Sequence, residues 1–310
     1  MDFSLTADQQ LLSDTGRKLL ERECPPALVR AHIDDLSAYE PLWRHLSEYT
    51  ALGAGPAADL CLVLEQTGYA AAPGPFLATA LYTSLTGDET TIGTVALVDD
   101  PLQPFVLELD RVERIAIVVP GPRIALLDAA DITARFVATV DYSRRVFAID
   151  VPTLDTQPLA ADDYARWRDR TYASVAAEMV GTARRIFDMS LAYAKERKQF
   201  DVPIGSFQAI QHKLADMSLA LERATAAVHY AAMTVDGDDP ERTRACHVAK
   251  AAAGEAARRI LKDGIQIHGG IGYTWEHDLH LYLRRATADE YLFGTTGWHL
   301  DRLADLLIDA

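Results

Sequence analysis

Apolar positions along the chain change period twice. Between residues 4 and 23, Leu11, Leu12, Leu19 and Leu20 form a helical stripe. Thr6 stands before it as a cap with Gln9 three residues on, and Cys24-Pro25-Pro26 ends it. Residues 40–85 read as short helices punctuated by Gly53, Gly55-Pro56, Gly68 and Ala72-Pro73-Gly74-Pro75. Near residue 90 the character turns β-like. The runs 94–98, 114–119, 123–127, 136–140 and 145–149 follow at close spacing, separated by Pro120-Gly121-Pro122 and several Asp residues. Strands so close together, with no long helix between them, predict a small antiparallel sheet or barrel.

From about residue 162 the helical period returns. Ala176, Met179, Val180, Ala183, Phe187, Ser190, Leu191 and Ala194 mark one long helix, and Phe207, Ile210, Leu214, Met217 and Leu221 a second. A third is expected to start at Asp238-Asp239-Pro240 and run through an alanine-rich stretch to Gly269-Gly270. A final amphipathic piece carries Leu300, Leu303, Leu306 and Leu307. Four such helices imply a bundle. The expected organisation is mostly α with a small central β domain: a shortened helical domain over 1–88, a middle β domain over 89–160 and a carboxy-terminal four-helix bundle over 161–310.

Composition narrows the classes. The chain has 310 residues, 49% of them apolar, which is a globular and not a disordered composition. Charge interrupts every apolar stretch before the ~18 residues of a membrane helix, so no membrane span is expected. The start, Met1-Asp2-Phe3-Ser4-Leu5-Thr6, has neither a basic stretch nor an apolar run, so no secretory signal is expected. A net charge of −15 repels phosphate backbones and argues against nucleic acid as a partner. Cys24, Cys61 and Cys246 are scattered, without a CxxC pair, as in a reducing cytoplasm; they read as small buried hydrophobes.

Two segments carry candidate chemistry. The first is Tyr193-Ala194-Lys195-Glu196-Arg197-Lys198-Gln199-Phe200, continuing through Pro203-Ile204-Gly205 to Phe207-Gln208-Ala209-Ile210-Gln211. It sets a planar guanidinium, an amide and an aromatic ring where one helix ends and another begins, a set suited to a pyrophosphate. Taken alone, it reads first as a solvated helix end with Phe200 in the core. The second is Gln266-Ile267-His268-Gly269-Gly270-Ile271-Gly272-Tyr273. Paired glycines let another backbone or a ligand come close, or simply stop a helix. It is not a dinucleotide loop, which needs a strand before and a helix after.

Together the two segments resemble the flavin-contacting motifs of the acyl-CoA dehydrogenase family, over about 180–285, and the order of elements fits along the whole chain. The resemblance implies α,β-dehydrogenation of an acyl-CoA with FAD as cofactor. In that family a carboxylate takes the α-proton while the flavin accepts the β-hydride. These motifs reach across a dimer interface to the neighbour's FAD. The resemblance assigns Arg197 and Gln199 to the pyrophosphate region and Phe200 to packing beside the cofactor. Gln208, Gln266, Gly269 and Gly270 line the adenosine end. Asp201 stands where the family usually has glycine and brings a carboxylate near the pyrophosphate.

The pattern also departs from the family. The usual base lies in a Y-E-G-T segment; here the equivalent is Leu292-Phe293-Gly294-Thr295, so Phe293 occupies the base position. Some members place the base on the first bundle helix, where this chain has Thr171, and Tyr172 replaces a substrate-holding arginine. The family's T-E-P-x-x-G-S-D and Trp-x-Thr/Ser flavin motifs are absent between residues 85 and 160. No catalytic base is therefore assigned. Asp169, Glu178, Asp289 and Glu290 are nearby carboxylates and read as surface or structural groups. Glu276-His277-Asp278 with His280 has a superficial look of a metal site, but no metal is expected. The expectation is the short, β-type subunit of a heteromeric enzyme, similar to the α₂β₂ acyl-CoA dehydrogenases of bacterial steroid degradation. A longer dehydrogenase subunit would be its partner, a steroid-derived acyl-CoA its substrate and an electron-transferring flavoprotein its acceptor. A self-sufficient homomer with Asp289 or Glu290 as a displaced base, and a non-catalytic acyl-CoA-binding scaffold, are the alternatives.

Overall fold

The structure, a computed structural model, describes residues 4–98 and 105–308. Met1-Asp2-Phe3 of the amino-terminal reading and residues 309–310 of the expected bundle lie outside the described residues.

Five helices come first: α1 (Ala7–Glu23), α2 (Pro26–Asp34), α3 (Glu40–Leu46), α4 (Ala57–Ala70) and α5 (Phe76–Thr86). Thr6 caps α1 with a complete capping box, in which Thr6 Oγ1 accepts from the Gln9 amide and Gln9 Oε1 from the Thr6 amide. The helix starts at Ala7 and not at residue 4 because the cap residue itself stays extended. α4 ends where Ala71 enters the left-handed region at φ 49°. There Ala71 N–H bonds Gly68 O and Ala72 N–H bonds Thr67 O, closing the last turn.

The β region forms two sheets. β1 (Gly93–Leu97), β3 (Arg114–Val119), β4 (Arg123–Asp128) and β7 (Gln157–Pro158) make one, in the order β1-β3-β4-β7. β2 (Phe105–Leu107), β5 (Ala134–Val137) and β6 (Val146–Ile149) make the other, in the order β2-β6-β5. The expectation of one antiparallel sheet or barrel needs correction: β1 and β3 pair parallel, Gly93 opposite Arg114 through Leu97 opposite Val118. After β1 the chain crosses into the second sheet for β2 before returning, and parallel neighbours need such a crossover. Ala96, Val106, Ile115, Ile117 and Phe147 fill a small core between the sheets.

α6 (Ala161–Glu196) is 36 residues long, and nearly everything from Thr171 to Ala183 is buried. A helix buried on all sides needs neighbours on all sides. α4, α7 (Gln208–Asp236), α8 (Arg242–His268) and α9 (Leu279–Asp289) supply them, and α10 (Thr296–Ile308) packs on α8. The hairpin β8 (Lys198–Gln199) to β9 (Val202–Pro203) links α6 to α7. α8 begins at Arg242, four residues after the expected Asp238. Asp238 takes φ 48°, and Asp239 Oδ1 accepts from the Glu241 amide at 2.8 Å. The acidic pair therefore shapes the turn out of α7 instead of capping α8. The leucine stripe of α10 faces outward, with Leu300 and Leu307 exposed, while Thr296 and His299 face the bundle.

α4 and α6 cross with their backbones in contact. A Cβ built on Gly68 would lie 2.0 Å from Glu178 O, and one on Gly181 would lie 1.9 Å from Glu65 O. Neither backbone can yield without parting the helices. Gly181→Ala is expected to cost about 2–3 kcal/mol in urea unfolding. Gly16→Ala, on α1 where the nearest atom is Gln66 Cγ at 3.5 Å, is expected to gain up to ~1 kcal/mol.

Candidate functional site

The two sequence motifs meet at one end of the helical layer. Tyr193 in the last turn of α6 stacks on His268, the last residue of α8, with ring centroids 4.6 Å apart. Gly205 packs against Ala194 O, where a Cβ would come within 2.9 Å. Gln211 Nε2, in the first turn of α7, donates to Gly205 O at 3.0 Å. Lys213 Nζ bonds Asp263 Oδ1 at 2.5 Å and ties α7 to α8 just before Gln266. The ends of α6 and α8 and the start of α7 thus form one face.

Arg197, Gln199, Phe200, Gln208, Gln266, Gly269 and Gly270 are all exposed. Phe200 is 88% exposed, so the reading that puts its ring in the core does not hold. Its position follows from the turn. Phe200 and Asp201 have φ 53° and 64°, the two left-handed central residues of a tight hairpin turn between β8 and β9. This explains why glycine suits position 201, and why Asp, which tolerates this region better than most residues, can replace it. Among the described residues no hydrogen bond is made by the side chains of Arg197, Gln208 or Gln266. α7 has no side-chain cap at its amino end, so the positive end of its dipole is open there. Gly269 needs to be glycine, with φ 63° and ψ −141°. Gly270 does not: its φ is not in the left-handed region and nothing lies within 4 Å of a Cβ built on it. The space in front of both glycines is open. Donors, a stacking ring and an open glycine cradle fit a phosphate-bearing cofactor lying against this face.

The two positions where the resemblance expects a base, Thr171 and Phe293, are buried. Thr171 is fully buried, and Phe293 is 6% exposed within the main core. Phe293 has φ 53°, a strained state for a bulky residue, and a polar clamp holds it. His299 Nε2 lies 3.1 Å from Phe293 O, and Lys250 Nζ donates to Gly294 O at 2.9 Å. His247 Nδ1 meets His299 Nδ1 at 2.8 Å. If His299 donates from Nε2, its Nδ1 must accept from His247. Burial lowers the pKa of His299 to about 2 and of His247 to about 4, which keeps both neutral. It lowers buried Lys250 to about 8. Sequence reasoning did not single out this clamp.

It also missed the strongest polar cluster, although the four carboxylates in its readings include two of the members. Arg144 bonds Glu178 Oε2 at 2.8 Å and Asp289 Oδ1 at 2.5 Å. Arg285 bonds Asp141 Oδ2 at 2.6 Å and Glu178 Oε1 at 2.9 Å. Arg285 also donates to Ser143 Oγ and to Ala72 O, a carbonyl exposed by the end of α4. All are almost fully buried. The sequence did carry a trace: Tyr282, Ala286 and Asp289 fall at i, i+4, i+7, so Asp289 lies on the apolar stripe of α9. Glu290 is engaged elsewhere, accepting from the Thr296 amide at 2.9 Å. Asp169 pairs with Arg242 and accepts from Thr243. Asp278, of the metal-like run, pairs with Arg30.

Residues 169–308 match the family described as acyl-CoA dehydrogenase, C-terminal domain. The protein called acyl-CoA dehydrogenase IpdE2 from Mycolicibacterium smegmatis is 33% identical, with 96% of this chain and 98% of that one covered. Two solved structures share the fold across nearly the whole chain. The Tcur3481-Tcur3483 steroid ACAD G363A variant has TM-score 0.86 at 23% identity, covering 97% of this chain and 98% of that one. The ChsE4-ChsE5 complex from Mycobacterium tuberculosis has TM-score 0.83 at 21% identity, with both chains fully covered.

Asp289 sets a pH dependence. Burial raises its carboxyl to about 7 against Arg144, and Glu178 adds to the rise. Its Oδ2 is buried with no partner among the described residues, which leaves room for a proton. An unfolded Asp titrates near 3.8. Between about pH 4 and pH 7 the folded chain keeps a proton that the unfolded chain has released, so this group's contribution falls as pH rises and levels off above about 7. The unfolding free energy of the wild type minus that of Asp289→Asn should fall across that window, by at most about 1.4 kcal/mol per pH unit. A flat difference would place the proton elsewhere.

Proposed function

The chain belongs to the acyl-CoA dehydrogenase family, and we propose that within it this chain is a short, catalytically incomplete subunit that completes a longer partner's FAD site in trans. The observation that carries the reading is an asymmetry. The residues that the family uses toward a neighbour's cofactor are exposed together on one face, while both base positions of this chain are buried. Arg197 and Gln199 pair with the partner cofactor's pyrophosphate. Phe200 offers its ring from the hairpin tip. Gln208 and Gln266 bind at the adenosine end, where Gly269 and Gly270 let it approach closely. When bound, FAD supplies the hydride acceptor; the partner supplies the carboxylate that takes the proton. This chain's own base-loop segment stays fixed by Lys250 and His299 and moves no proton.

The assembly and substrate follow the same reading. The ChsE4-ChsE5 complex and the Tcur3481-Tcur3483 steroid ACAD, both similar in fold, carry two-protein names. Those names support a paired enzyme; in the proposed reading it is α₂β₂, acts on a steroid-derived acyl-CoA in the cytoplasm and passes electrons to an electron-transferring flavoprotein. Among the described residues no helix is long and apolar enough to cross a membrane. The homomeric alternative has less support, because Asp289 and Glu290 are held in internal contacts.

Co-expression with candidate long subunits tests the proposal through flavin per complex. The chain alone should be colourless, and the complex should hold FAD. One FAD per subunit on the isolated chain, with turnover of acyl-CoA, would falsify it. Arg197→Ala should weaken FAD retention by the complex about 10- to 100-fold, the loss of one hydrogen bond to a charged group. Gly270→Ala should lower flavin content while unfolding within about 0.5 kcal/mol of wild type, since its Cβ meets nothing in this chain. Asp201→Gly should tighten retention slightly by removing a carboxylate beside the pyrophosphate.

A further inference from the structure

A cavity of about 290 Å³ lies between the β2-β6-β5 sheet and α9. Phe105, Leu107, Val140, Val146, Ala288 and Leu292 supply most of its wall. Phe105, Val140 and Tyr291 stand exposed around it, large apolar side chains that water must otherwise hydrate. We propose that this cavity is a binding site for an uncharged, compact, fused-ring apolar molecule, and not for a phosphate-bearing one.

The polar groups in the wall explain the choice. Arg144 donates from Nη1 to Asp289 and from Nη2 to Glu178, so its charge is matched inside the protein. Asp141 accepts from the Ser143 amide and hydroxyl through Oδ1 and from Arg285 through Oδ2. Thr139 Oγ1 donates to Asp141 O at 2.9 Å. The charged groups in the wall, Asp141 and Arg144, are thus each paired inside the protein. Behind the wall, two guanidiniums face three carboxylates, Asp141, Glu178 and Asp289, so the local field does not attract phosphate. The volume sits at the small end of the ~300–1,000 Å³ typical of small-molecule sites, room for a ring system and not for a whole dinucleotide. Preference for fused rings rests on the steroid reading proposed above; the apolar, uncharged character rests on the wall alone.

Titration of the full chain with Nile red tests this. Saturable binding at one per chain is expected, displaced by the neutral tetracycle androst-4-ene-3,17-dione and not by FAD. Ala288→Trp, which fills the cavity from α9, should weaken Nile red binding at least tenfold. Val146→Phe, from the sheet side, serves if the first variant does not fold. Leu11→Trp, on the exposed side of α1, should leave binding unchanged. Arg197→Ala should also leave it unchanged, which separates this site from the cofactor face and its test. No saturable binding, displacement by FAD, no displacement by the tetracycle, or indifference to both cavity-filling variants overturns the proposal.

Discussion

Arg144 and Arg285 are buried among Asp141, Glu178 and Asp289 at the point where every layer of the molecule meets. Asp141, Ser143 and Arg144 come from the turn before β6, Glu178 from the middle of α6, and Arg285 and Asp289 from α9. The carbonyls of Ala71 and Ala72 come from the end of α4. Desolvating such charges is expensive, and their attraction roughly offsets the cost only when each is fully partnered. Losing one member would strand the others in the core, at a penalty of about 3–5 kcal/mol. The network therefore fixes geometry more than it adds stability. It also binds the sheets to α9, and so defines the floor of the cavity between them.

Around that fixed centre the chain divides its resources unevenly. Phe293 spends backbone strain and Lys250 a buried charge to hold a segment that, by family resemblance, should carry a base. At the other end of the helices, the side chains of Arg197, Gln208 and Gln266 make no hydrogen bond among the described residues. An interior closed this tightly beside a face left this open is the asymmetry on which the proposed subunit role rests.

Much of this was legible in the residues. Thr6 with Gln9 fixed the start of α1, because a cap acts within four residues. The 3.6-residue period marked α6 and α7, the alanine-rich stretch before Gly269-Gly270 marked α8, and the motif around Arg197 and Gly269 was recognisable as a family signature. Other features were not legible. The parallel pairing of β1 with β3 depends on where β2 goes, a choice between sheets that no local pattern records. Asp238 looked like a cap and proved to be a turn residue, since either role suits an acidic residue shortly ahead of a helix.

By itself the sequence determined the class of fold, the family and which residue types occupy the base positions, because periodicity, caps and motif spacing act over short distances. Tertiary structure alone decided what those positions mean. It brought Tyr193 onto His268 across 75 residues, so that two motifs became one face. It drew Arg144 from the sheet onto Glu178 and Asp289 from two helices. It left Gly270 in open space, where no contact of its own chain requires glycine. Burial and long-range pairing are properties of the packed chain, and they turned a list of matching residues into one exposed face and a closed segment around Phe293.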